Sequence, residues 1–283
     1  MTAAFTALAL IAFAANSVLC RAALGGHLID PAGFTLVRLA TGAAVLLALH
    51  AGPRRGFRVR FDRVQPAMLF LYAATFSFAY LSLAAGTGAL ILFGCVQATM
   101  ILGALRSGER FQMLEGIGLI LALGGLCFLV APGLTAPSPL GSALMAAAGV
   151  SWGIYSLRGR GTADALGDTT RNFLLATPLA VLLAGLAFRN VHFSLSGVAL
   201  AVVSGAIASG LGYVVWFAVL RRLSGIRAAV VQLAVPVLAA GGGVAFLAER
   251  VSLRLVLSAV LILGGVGLAI ARRSGWTRGA AGG

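Results

Sequence analysis

Apolar residues run along this chain in blocks of about twenty, each closed by a short polar or Pro/Gly-containing break. A helix needs about 20 predominantly apolar residues to cross the hydrocarbon core of a bilayer. The pattern predicts ten such helices, over 3–21, 31–50, 65–83, 87–105, 112–131, 139–157, 171–188, 196–219, 227–247 and 252–271. Pro31 suits the first turn of a helix, and Gly52-Pro53-Arg54-Arg55-Gly56 is a polar break. Pro132-Gly133 followed by Pro137-Ser138-Pro139 forms the one proline-rich linker, near the midpoint. The reading is all-α and integral to the membrane, with a first five-helix unit over 1–131, a linker over 132–138, a second unit over 139–271 and a basic tail over 272–283.

Composition strengthens this picture. Of 283 residues, 60% are hydrophobic and 10% charged, against roughly 25% charged in soluble domains. Ten spans leave no length for a folded soluble domain. The first apolar run has neither a basic leading region nor an A-x-A cleavage site, so it is expected to stay as a span. Ser17-Val18-Leu19 ahead of Cys20 is a poor lipobox.

The net charge is +14, and all 21 cations are Arg. In a soluble protein that balance would suggest nucleic acid, but these arginines fall between apolar runs and are read as topogenic signals. With the N-terminus inside, the cytoplasmic side carries 16: Arg54, Arg55, Arg58, Arg60, Arg63, Arg106, Arg110, Arg158, Arg160, Arg171, Arg221, Arg222, Arg227, Arg272, Arg273 and Arg278. The outer side carries 4, namely Arg21, Arg189, Arg250 and Arg254, and Arg38 lies within a span. The bias predicts a multi-pass protein of a bacterial inner membrane with both termini cytoplasmic. Cys20, Cys95 and Cys127 have no CxxC spacing and are expected to act as buried small hydrophobes. His27, His50 and His192 are isolated, so no metal, cofactor or His-based catalytic dyad is expected.

The two halves are related. Residues 39–48 match 175–184 at eight of ten positions, and Glu109-Arg110 with Gly124-Gly125 matches Glu249-Arg250 with Gly264-Gly265 at an offset of 140. Five helices is an odd number, so the second unit enters the membrane from the opposite side. Inverted repeats of this kind underlie alternating access around a midplane site.

The stretch Leu247-Ala248-Glu249-Arg250-Val251 after a helix with Gln232 and Pro236, its weaker counterpart Ser107-Gly108-Glu109-Arg110-Phe111, and Ser151-Trp152-Gly153-Ile154-Tyr155 resemble the EamA-type repeat of the drug/metabolite transporter superfamily. Among its members the YddG-like aromatic amino-acid exporters are the most similar. The resemblance implies a ten-helix exporter of amino acids and related metabolites, working as a monomer. The first half departs from the pattern, with Val96 where the second has Pro236 and Phe13 where it has Trp152.

Polar side chains inside the spans are the candidate substrate site, because an uncompensated polar group in lipid costs several kcal/mol. They are Asn16, Arg38, Gln97, Trp152, Tyr155, Tyr213, Trp216 and Gln232, with Tyr72, Phe76 and Tyr80 as an i, i+4, i+8 stripe. An amphipathic vestibule, in which rings supply apolar area and amides orient a zwitterion, is one reading. An interfacial aromatic belt with amides bonded across helices is the other; it weighs most for Tyr80 and Trp216, near their span ends. Arg38 lies about 10 Å into its span. Snorkelling to the outer interface is the simpler account of it, and a carboxylate-binding charge the sharper one. Glu109 and Glu249 end helices and are expected to cap neighbouring charges, a structural role. Gly205, Gly210, Gly212 and Gly241-Gly242-Gly243 suit close helix packing or hinging.

No P-loop is present, and Glu115 is the one carboxylate clearly inside a span, so facilitated or loosely proton-coupled export fits best. A carrier of sugars, nucleosides or drug-like compounds is the alternative. Phosphorylated substrates would call for more than Arg38 inside the vestibule. An integral membrane enzyme or scaffold is a further alternative, but convergent acids, His or Cys are missing.

Overall fold

The computed structural model describes residues 2–51, 62–106, 113–131, 133, 136–160, 162–188, 191–221, 231–232 and 234–271. Among these residues every named element is helical, and the only extended pairing is a single antiparallel bridge between Ile29 and Phe193. The helices are α1 Thr2–Gly25, α2 Pro31–His50, α3 Val64–Ala79, α4 Ala85–Arg106, α5 Met113–Val130, α6 Pro139–Gly159, α7 Ala165–Leu186, α8 Leu195–Leu220, α9 Ala234–Leu247 and α10 Leu253–Ala271. Six of them (α1, α2, α4, α6, α7 and α8) are long and apolar enough to cross a membrane, and the other four are shorter apolar helices.

Four helix starts share one local solution. Asp30, Ser138, Asp164 and Ser194 each accept a hydrogen bond from the backbone N–H of a glycine three residues on, at Gly33, Gly141, Gly167 and Gly197. A side-chain cap of this kind is worth about 1 kcal/mol. Asp164 also corrects the expected start of the seventh helix. The polar stretch 164–170 looks like loop, yet the cap starts α7 at Ala165 rather than 171, and Arg171 lies inside it, paired with Asp168 at 3.0 Å. α1 runs to Gly25, which puts Arg21 inside the helix rather than in a loop. α3 closes at Ala79, four residues before the expected end.

Helix packing is dense between the two halves. α2 packs on α7 and α8, α3 on α6 and α7, α4 on α6 and α9, α1 on α8 and α9, and α5 on α10. The outward faces are apolar: Ile120 is 71% exposed, Val260 65% and Phe246 80%. Asn16, Arg38, Gln97 and Gln232 are instead buried at 2% or less. A soluble protein distributes these groups the other way, whereas lipid favours this arrangement. Cys20 is buried as expected, Cys95 is half-buried, and Cys127 faces outward from α5, a correction to the expectation of burial.

Candidate functional site

The centre of the bundle is built around one cation. Arg38, within one turn of the middle of α2, is 1% exposed. Its Nε donates to Ser209 Oγ at 2.8 Å, and its Nη2 to the hydroxyls of Tyr72 at 3.1 Å and Tyr213 at 2.7 Å. The guanidinium carbon lies 5.0 Å from the Tyr72 ring centroid and 5.1 Å from that of Phe76, within cation–π range. Nη1 is buried without a hydrogen-bond partner. The side chain therefore turns into the bundle, which overturns the snorkelling account: three hydroxyls and two rings inside offer it more than the interface would.

Residue patterning explains how three helices converge here. Tyr72 and Phe76 share a face of α3 one turn apart. Ser209 comes from a π-helical stretch of α8, Ser204–Leu211, a wider coil that often marks functional sites. Gly205 lies at the same crossing. A Cβ there would collide with the carbonyl oxygen of Arg38 and the hydroxyl of Thr41, so glycine alone lets α8 come this near to α2. The second serine of the stretch, Ser204, donates to Asn16 Oδ1 at 2.6 Å, and Asn16 Nδ2 donates to Tyr72 Oη at 3.2 Å. Asn16 is thus tied to Arg38 through one hydroxyl.

An aromatic cluster surrounds this polar chain. Trp152 packs with ring centroids 4.6 Å from Tyr213, 5.0 Å from Tyr72 and 5.5 Å from Tyr155, and meets Phe13 edge-to-face at 5.5 Å. Phe13 also contacts Trp216 at 5.6 Å, and Tyr80 reaches the group through Phe76 at 4.7 Å. Tyr155 accepts a hydrogen bond from Asn172 at 3.4 Å. The indole Nε1 atoms of Trp152 and Trp216 are buried without a hydrogen-bond partner. Tyr80 and Trp216 are fully buried, so neither belongs to an interfacial belt. Gln97 and Gln232 are buried in α4 and just ahead of α9, and take no part in the Arg38 hydrogen bonds.

Sequence reasoning missed Ser204, Ser209 and Phe13 as members of the group. The serines sit among small residues that carry no chemical signal, and Phe13 was noticed only as a departure from the repeat.

A second arginine shows a different environment. Arg21 pairs with Glu249 at 3.2 Å and donates to the carbonyl of Tyr80 at 3.1 Å. Glu249 also accepts from the Ala85 N–H at 2.9 and 3.1 Å, so beyond pairing with a neighbouring charge it caps the start of α4. Ala248, with φ of 53°, makes the turn that delivers it. Glu109, the expected counterpart, and the side chain of Glu115 lie outside the described residues.

Residues 139–271 match the profile of the EamA-like transporter family. The chain is 48% identical over 276 residues to an uncharacterized protein of Pseudomonas aeruginosa, covering 97% of this chain and 96% of that one. It is 21% identical over 257 residues to the uncharacterized transporter YoaV of Bacillus subtilis, covering 86% and 88%. A crystal structure of another protein shares the fold with a TM-score of 0.65 at 21% identity, over 98% of this chain and 99% of that one.

Proposed function

We propose a substrate and a mechanism for this chain, which belongs to the EamA-like transporter family of the drug/metabolite transporter superfamily and is a multi-pass membrane transporter. It exports amino acids, aromatic and other neutral ones included, and related small metabolites, by alternating access across a bacterial inner membrane. All ten helices span the bilayer, with both termini cytoplasmic.

The observation that carries the substrate class is the buried Arg38 with one free nitrogen and no acidic partner among the described residues. A substrate carboxylate accepts from the unpaired Nη1, a charge-assisted bond about twice as strong as one between neutral groups. The rings of Trp152, Tyr155 and Tyr213 offer the amphipathic surface an aromatic or apolar side chain needs. The rings touch in this structure, so the substrate parts them as it binds.

An inverted repeat is supported by the way the contacts exchange. Replacing each helix by the one five places along turns the α3–α6 contact into α8–α1, α4–α6 into α9–α1, and α3–α7 into α8–α2, while α2–α7, α4–α9 and α5–α10 map onto themselves. Tyr72 and Tyr213, 141 residues apart, occupy matching places and bind the same Arg38 nitrogen. Two similar units around one central charge can trade conformations without moving the site.

The test is reconstitution into liposomes with a panel of labelled amino acids, sugars and nucleosides. Saturable flux of L-phenylalanine or another neutral amino acid without imposed ATP is the expected result. Flux confined to sugars or nucleosides would overturn the substrate class.

A further inference from the structure

Arg38 carries a charge that nothing described in the protein neutralises. A guanidinium cannot be deprotonated in a protein, and its three acceptors, Ser209, Tyr72 and Tyr213, are neutral hydroxyls. The chain has seven acidic residues. The five whose side chains are described are engaged elsewhere: Asp30 at Gly33, Asp62 with Arg158, Asp164 at Gly167, Asp168 with Arg171 and Glu249 with Arg21. An uncompensated charge held away from water costs several kcal/mol.

Two buried donors at and beside this charge lack partners. They are Arg38 Nη1 and Trp152 Nε1, and the Trp152 ring packs on both tyrosines that hold Arg38. A water molecule would accept from one or two of them and leave the charge uncancelled. A small monovalent anion does both.

We propose that the resting carrier holds a chloride-like inorganic anion against Arg38, and that the substrate carboxylate displaces it. This rests on reading Arg38 as the carboxylate site. It adds that the unloaded protein is never cationic at its centre, and that external halide competes with substrate. Chloride and the substrate carboxylate then alternate on the same guanidinium, so the carrier returns with Arg38 still paired to an anion rather than bare.

The experiment uses the full chain in lipid nanodiscs, in a Trp276→Phe background so that Trp152 and Trp216 are the remaining indoles. Iodide is titrated against gluconate at constant ionic strength while indole fluorescence is followed, and chloride is then added in competition. The expected result is saturable quenching by iodide, reversed by chloride and absent in Arg38→Gln, together with a higher melting temperature in chloride than in gluconate. Linear, unsaturable quenching that is the same in wild type and Arg38→Gln, with no difference in melting temperature, would overturn the proposal. If Arg38→Gln does not fold, the wild-type chloride-against-gluconate shift decides, and Arg38→Lys, which keeps the charge, retains saturable quenching. Phenylalanine flux that depends on Arg38 but ignores halide sinks the anion proposal alone. Flux indifferent to Arg38 sinks the carboxylate site beneath it.

Discussion

Arg21 and Arg38 are both arginines in transmembrane helices, and the protein treats them in opposite ways. Arg21, near the end of α1, meets two backbone carbonyls and Glu249, which itself caps the start of α4. Arg38, deeper and better buried, meets only hydroxyls and rings among the described residues. An arginine whose task is to hold helices together is given an acid, because pairing repays part of the desolvation. Arg38 has been given geometry without neutralisation: its fork is aimed and its rotamer locked, yet its charge is left open. That is the arrangement expected of a group that must bind an anion and release it again.

Substitutions at the two arginines and their partners should separate these roles. The largest effect is expected from Arg38→Gln, which removes a charge-assisted bond worth about 2–3 kcal/mol. Apparent affinity for a carboxylate-bearing substrate should fall about 30- to 150-fold, read by binding to purified protein, while the helical circular dichroism signal stays. Glu249→Gln should show the reverse pattern. It loses an ion pair and weakens the α4 cap, at a cost of about 1–2 kcal/mol, so the melting temperature falls while substrate affinity changes less than about twofold. Tyr213→Phe should weaken binding by about three- to tenfold, the range of one hydrogen bond to a charge shared among three.

The smallest effect belongs to the surface. Partial burial alone would raise the Asp62 carboxyl, but the Val64 N–H at 2.8 Å and the Arg158 guanidinium at 3.0 Å hold it below the usual carboxylate range. A carboxylate with a depressed folded pKa contributes stability above its unfolded pKa and loses it as pH falls through the folded value. Asp62→Asn should therefore remove a small acid-side dependence of the melting temperature, worth under about 1 kcal/mol for a pair this exposed, and leave transport unchanged.

The sequence made the helices legible because a bilayer demands long apolar runs, and their breaks at Pro31, Gly52-Pro53 and Pro137 are chemically loud. Its errors came where a polar residue starts a helix instead of ending one, as Asp164 does for α7. The site was half legible. Asn16, Trp152, Tyr155 and Tyr213 stand out because polar and amphipathic groups are costly in lipid. Arg38 was judged by its distance from the helix end, and distance says nothing about which face a side chain takes. The face was set by partners that no local pattern reveals: two serines in a π-helical turn and a glycine whose missing Cβ admits α8 to α2. Tertiary contacts of that kind are written in the fold, not in any window of the chain.

The most direct test compares two ligands in one assay. Proteoliposomes containing wild-type protein are preloaded with unlabelled L-phenylalanine, and counterflow is measured for labelled L-phenylalanine and for phenethylamine, which keeps the ring and the amine but lacks the carboxylate. The account predicts saturable accumulation of phenylalanine, none of phenethylamine, and loss of the phenylalanine signal in Arg38→Gln. Equal accumulation of the two compounds, or full counterflow of phenylalanine in Arg38→Gln, would contradict it.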